Sequence, residues 1–338
     1  MNIFFGLGVT GRLGNQIIQY SIIRHLENLH GIKIYHSRWL GEKLFTVPEI
    51  RDSLSNIELH DIYVDDFSYQ YDKILQLKTE RMPEEDSRSK HKFINFGNSN
   101  LLISGQFDPV GKTIFHYPLV DLKYLKKHEH IIRSNLQFKS DYAEELYRIK
   151  NHLFRNNKLI VIHVRKGDFN LLVNPYYIFI TKFYVQWLEQ NFDVNSRLYV
   201  CGQPTKGIKS VLKKYDPLYL EDILELDITK KLNLPHIDII IDHGLMRLAD
   251  NVLISNSSFS FTACMLSENP HAAFFKPSLE SDKLIKFEPW GSYTYDVCPF
   301  GWKFIFYYMK YRPWFGFAFI YQVVKMLLKG ERIRDLSY

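Results

Sequence analysis

Four aliphatic residues, Leu159-Ile160-Val161-Ile162, run without a break into His163-Val164-Arg165-Lys166-Gly167-Asp168. An apolar run with no polar alternation reads as a strand buried on both faces, the mark of a parallel sheet covered by helices. Such sheets bind ligands at the carboxyl ends of their strands. Here that end carries two adjacent cations, a glycine and a carboxylate. An arginine just beyond a buried run must meet an anion or carry a heavy desolvation cost. Side chains alternate along a strand, so Lys166 points away from Arg165 unless the turn begins there, and Arg165 ranks first of the two. Gly167 lets backbone approach closely. His163 by itself reads as a hydrogen-bonded core histidine, and Asp168 as a cap. Together the paired cations suit a doubly charged phosphate group.

The rest of the chain repeats the alternation of strand and helix. Ile3 to Phe5 reads as a strand, residues 6–14 as a glycine-rich turn, and Asn15 to Leu29 as a helix closed by Gly31. A short strand follows at 33–36, an exposed charged loop at 78–92 and a strand at 101–104. Asp141 to Phe154 has helical spacing and leads into the 159–165 strand. Beyond it lie a helix at 181–192, a strand at 197–201, a short helix at 207–214, an ambiguous apolar stretch at 237–248, and a strand at 251–255 entering a further helix. A chain of 338 residues accommodates two domains. The pattern predicts an α/β protein of two Rossmann-like domains facing a cleft. They are expected at 1–155 and 156–306, with a basic, aromatic tail at 307–338.

Cys201, Cys264 and Cys298 are widely spaced and odd in number, which argues against a disulfide framework or a zinc site. A reducing, cytoplasmic setting is expected, since the first residues carry no basic leader and no stretch reaches the ~18 apolar residues of a membrane span. The formal charge is +6, and the segment from Gly301 to Tyr338 holds seven Lys/Arg against Glu331 and Asp335. Residues 1–300 are therefore nearly neutral, which excludes steering toward nucleic acid. The tail is rich in Phe, Tyr and Trp, and Gln322, Lys325 and Lys329 share one narrow helical face. That composition fits a helix packed on the body, one docking a partner, or one lying on the cytoplasmic face of an inner membrane.

Two further segments carry chemistry. Gly6-x-Gly8-x-x-Gly11 satisfies the dinucleotide fingerprint, but the acidic residue expected after the second strand is replaced by His36-Ser37-Arg38. A NAD(P)-dependent oxidoreductase is thus an alternative that rests on the glycines alone. Gly14-Asn15-Gln16 opens the first helix and can present amide groups to a ligand or simply cap it. Asn256-Ser257-Ser258 stands at a strand-to-helix junction, where small polar residues suit phosphate oxygens or an N-cap.

Taken together, Gly11-Arg12-Leu13-Gly14-Asn15-Gln16, His163-x-Arg165-Lys166-Gly167-Asp168 and Ile254-Ser255-Asn256-Ser257-Ser258-Phe259-Ser260 resemble the three motifs of the bacterial α-1,2-fucosyltransferases, glycosyltransferase family 11, in order and spacing. Weaker similarity at 104–107, 131–138, 242–246 and 299–302 extends the resemblance over residues 1 to about 305. It implies a GT-B-like pair of Rossmann domains that moves L-fucose from GDP-β-L-fucose to the 2-hydroxyl of a β-galactoside. No cofactor or metal is implied. By this resemblance Arg165, Lys166, His163, Gly14, Asn15, Gln16, Asn256, Ser257 and Ser258 bind the donor. Arg165 and Asp168 are the catalytic candidates, and Asp108 is a candidate on the acceptor side. The implied acceptor is a galactose-containing glycan of a bacterial surface polysaccharide, and a tail lying on the inner membrane would place the enzyme beside lipid-linked glycans.

Three positions depart from the family pattern. Lys166 replaces an arginine and Phe261-Thr262 replaces paired aromatics. Gly202-Gln203-Pro204 stands where Ser-Asp-Asp is usual. A carboxylate there could read a guanine edge, so its loss bears on the donor's base or sugar; transfer from another GDP-deoxysugar by the same fold is an alternative.

Overall fold

The structure, a computed structural model, describes residues 2–5, 7, 12–36, 39–47, 93–94, 113–115, 122–155, 157–165, 181–226, 236–278 and 281–292. The chain divides into two compact units: Met1–Pro118 with Lys127–Gln137, and Leu119–Lys126 with Phe138–Tyr338.

The first unit holds a four-stranded parallel sheet of order β2-β1-β4-β3. Its strands are β1 (Asn2–Phe5), β2 (Ile34–His36), β3 (Phe93–Ile94) and β4 (Thr113–Phe115). Helix α1 (Leu13–His30) joins β1 to β2 and buries Leu13, Ile17, Ile18, Ile22, Ile23 and Leu26. Gly31 ends it at φ 62°, a left-handed turn that a Cβ would oppose. Among the described residues the unit also holds two short helices, α2 (Gly41–Leu44) and α3 (Glu129–Asn135). Just before α3, His128 Nδ1 lies 3.0 Å from His25 Nδ1 of α1, one ring donating and the other accepting.

The second unit runs through α4 (Ser140–Leu153), β5 (Lys158–Val164), α5 (Thr181–Asn191), β6 (Ser196–Gly202), α6 (Lys206–Leu212) and β7 (Leu218–Tyr219). It continues with α7 (Leu220–Leu224), α8 (Ile237–Leu248), β8 (Asn251–Leu253), α9 (Ser258–Met265), β9 (Ala273–Ser278) and β10 (Lys283–Phe287). The sheet order is β7-β6-β5-β8-β9-β10, parallel throughout except for β10. As the apolar run at 159–162 predicts, β5 is central, and six of its seven residues are buried. Ile160, Ile162 and Val164 share a core with Phe183, Tyr184, Trp187 and Leu188, one face of α5. Helix α4 packs on α8, so closely at Gly244 that a Cβ there would overlap the Leu146 side chain.

The stretch 237–248, ambiguous by periodicity, is helix α8, and nine of its twelve residues are buried. A helix enclosed on nearly every side has no polar stripe, which removes the 3.6-residue signal. Near its end the fully buried Arg247 stacks on Phe138, 4.5 Å from guanidinium to ring centroid, and meets Glu268 Oε1 at 2.8 Å.

Candidate functional site

Strand order decides where a ligand would sit in the second unit. From β5 the chain steps outward through β6 to β7, then returns to the other side of β5 to form β8 and steps outward again to β9. The reversal falls between β5 and β8, and in an open α/β sheet the crevice at the carboxyl ends of two such strands is the ligand site. His163 and Arg165 occupy the end of β5, and Ser255 to Ser258 follow β8. The second and third sequence motifs therefore converge on one topological switch point.

A hydrogen bond ties them together: His163 Nδ1 lies 2.8 Å from Ser255 Oγ. His163 is buried, and desolvation, helped by the Arg165 charge, pushes its pKa down to about 3. The imidazole is therefore neutral and serves as a hydrogen-bonding group, not as an acid near pH 7. Phe259 of α9 packs against it at 5.6 Å between centroids, with His243 of α8 at 5.2 Å from the same ring. Arg165 is half-buried immediately beyond β5.

Helix α9 begins at the same place. Its N-cap, Ser257, is extended, with no side-chain capping bond, and Ser257 Oγ is buried without a hydrogen-bond partner among the described residues. Buried hydroxyls are normally satisfied, so one left open at a helix N-terminus is suited to an incoming acceptor atom such as a phosphate oxygen. Asn256 and Ser258 flank it, both half-buried. Ser260 Oγ, donating to the carbonyls of Ser255 and Ser257, both at 3.2 Å, braces the turn.

Sequence reading missed Asp242. It lies on α8, yet its Oδ1 accepts from the Tyr199 hydroxyl at 2.5 Å and its Oδ2 from the Gly202 amide at 3.1 Å. A buried carboxylate thus serves the end of β6, where the sequence has Gly202-Gln203-Pro204, and it arrives from another element. Burial raises its pKa to about 6, while the Tyr199 and Gly202 bonds act the other way. The available signal was an aspartate directly after three isoleucines, Ile239 to Ile241, since a carboxylate is seldom buried unpaired.

In the first unit, the motif residues lie in the opening turn of α1. Gly14 is buried, Asn15 half-buried, and the buried Gln16 accepts from the Leu40 amide through Oε1 at 3.2 Å. That bond fixes the segment before α2. The N-cap is Arg12, with no side-chain capping bond, so the helix starts two residues earlier than its sequence suggests. Lys166, Asp168, Asp108, the glycines of the 6–11 turn, Cys298 and the 307–338 tail lie outside the described residues. Among the described residues, no group of three or more His, Cys, Asp or Glu is placed to hold a metal ion.

A parallel sheet covered by helices, with its strand order reversing between β5 and β8, defines a Rossmann-type fold. Among solved structures, the chain is similar to FUT1 of Arabidopsis thaliana in complex with GDP, with a TM-score of 0.52, 11% identity, and 84% of this chain covering 73% of that one. The chain therefore has that fold. It is also similar to the fucosyltransferase NodZ from Bradyrhizobium, with a TM-score of 0.48, 11% identity, and 85% of this chain covering 98% of the other. No family model matches the sequence, and no curated protein matches it significantly.

Proposed function

We propose that the chain is an inverting glycosyltransferase that moves L-fucose from GDP-β-L-fucose to the 2-hydroxyl of a β-galactoside. One observation carries the reading: Arg165, just beyond β5, and the N-terminus of α9, with its unsatisfied Ser257 hydroxyl after β8, both stand where the strand order of a Rossmann-type sheet reverses. The FUT1 structure of the same fold was obtained with GDP, which supports a guanosine diphosphate at this crevice. The three-motif resemblance supports fucose as the sugar and the galactose 2-hydroxyl as the acceptor.

As the bond from the anomeric carbon to the β-phosphate oxygen breaks, its electron pair leaves with the diphosphate, and negative charge grows there. The acceptor oxygen attacks the opposite face and gives up its proton. Arg165 stabilises the departing charge, joined by α9 amides and Ser257 Oγ. A fixed donor of this kind is worth on the order of 10²–10³ in rate. His163 stays neutral and holds Ser255 in place. Lys166, Gly14, Asn15, Gln16, Asn256 and Ser258 are assigned to the donor side by their motifs. Asp168 and Asp108 are the two candidates for receiving the acceptor proton. Each Asp242 oxygen retains a second lone pair, and a carboxylate at the end of β6 matches the two N–H donors of a guanine edge. The acceptor is assigned as a lipid-linked glycan on the strength of the basic, aromatic tail.

The deciding experiment is turnover by Arg165→Ala with GDP-fucose and a lactose-type acceptor. A fall of about 10²-fold or more is expected. Near-wild-type turnover removes Arg165 from this role and the reading with it.

A further inference from the structure

The end of β6 presses directly on the strand that delivers Arg165. Val164 pairs with Gly202 in the parallel register of β5 and β6. Gly202 has φ +84°, a conformation that strains any side-chain-bearing residue. A Cβ at Gly202 would overlap the Val164 carbonyl oxygen and stand 3.2 Å from His163 Cδ2. The turn is fastened on both sides: the Gln203 amide donates to the Val164 carbonyl at 2.8 Å, and the Gly202 amide donates to Asp242 Oδ2 at 3.1 Å. Val164 C=O is one half of the peptide that links to Arg165, so whatever moves that carbonyl moves the residue after it.

We propose that Gly202 is a positioning residue: its missing side chain lets the β6 turn close on Val164 and so sets the aim of Arg165. The proposal rests on the donor-site reading above and assigns a role to the Gly-Gln-Pro sequence that departs from the family pattern. This chain keeps a glycine at the end of the strand and brings a carboxylate to it, Asp242, from α8. The methyl of an alanine would have to displace the Val164 carbonyl by on the order of 1 Å, and a misplacement of that size can cost about 10²-fold in rate.

The test compares Gly202→Ala with Gly207→Ala. Gly207 opens α6 five residues later, and a Cβ there meets nothing closer than Thr205 Oγ1 at 4.0 Å. Per molecule competent to bind GDP, Gly202→Ala is expected to lose about 10²-fold in kcat with GDP affinity reduced less than tenfold, whereas Gly207→Ala stays within twofold. Wild-type kcat per binding-competent Gly202→Ala molecule overturns the proposal. Should Gly202→Ala fail to fold, Tyr199→Phe removes the hydroxyl that holds Asp242 and keeps the ring. Lower kcat with faster amide exchange at Gly202 supports the proposal, and no change in either overturns it. Amide exchange at Gln203 separates this failure from that of the donor reading. A protein that neither binds GDP nor turns over GDP-fucose refutes the donor reading. Fast Gln203 exchange in the wild type refutes the turn's closure whatever the activity.

Discussion

Replacing Asp242 with asparagine isolates the electrostatic cost of the carboxylate at the end of β6. Burial raises this group from 3.8 to about 6 in the folded protein. The folded state therefore holds the proton more tightly than the unfolded chain. The resulting stability is present below about 4 and is lost as pH rises through 6, for a total of roughly 3 kcal/mol. About half of that loss, roughly 1.5 kcal/mol, falls between pH 5 and pH 8. His163 works in the other direction. Its pKa drops from 6.5 to about 3 on folding, so its contribution is full above 6.5 and is lost as pH falls. At pH 5 that loss comes to about 2 kcal/mol. The wild-type profile superposes these opposing slopes, so the informative quantity is a difference between proteins. Asparagine keeps the shape but turns one acceptor into a donor, a mispairing of about 1–3 kcal/mol that does not vary with pH. Urea unfolding of wild type and Asp242→Asn at pH 5, 6, 7 and 8 should show the variant gaining about 1.5 kcal/mol relative to wild type across that range. A difference constant within about 0.5 kcal/mol would refute the claim that Asp242 is charged at a cost in the folded protein.

Two further outcomes follow from single contacts. Ser257→Ala deletes a buried hydroxyl that has no partner among the described residues, so its stability should hold or rise slightly, while GDP affinity falls about 10-fold for one lost charge-assisted bond. Isothermal titration beside a thermal melt separates the two effects. Glu268→Ala leaves the fully buried Arg247 guanidinium with the Phe138 face but without its 2.8 Å carboxylate, and chemical denaturation should show a loss of about 3–5 kcal/mol.

Much of the second unit was legible because its elements obey local rules. A buried run gives β5, spacing in 181–192 gives α5, and small polar residues mark the start of α9. Helix α8 was harder to read for a physical reason: enclosure erases amphipathic contrast. Cys201 and Cys264 are buried, as small core residues should be, and burial pushes both thiols well up from their ordinary range. Strand order, by contrast, is a long-range property. Nothing local in Asn251-Val252-Leu253 says that it pairs with Ile160 to Ile162 and not with a strand nearer in sequence.

That pairing is what brings the second and third motifs to one switch point. His163 reads alone as a core histidine, which it is, and Ser255 reads alone as part of a turn, which it also is. Their 2.8 Å bond across two strands 91 residues apart in the chain, from Ile162 to Leu253, shows that both ordinary readings hold and that the two strand ends are joined by them. The Asp242 carboxylate makes the same point from the opposite side. Chemistry that a strand's own sequence lacks can be supplied by a helix 40 residues on, provided the strand ends in a glycine whose amide is free of side-chain crowding to receive it. Motif reading along the chain finds the groups attached to the strands. The groups that aim them are found by asking what each strand end must touch in order to stop where it does.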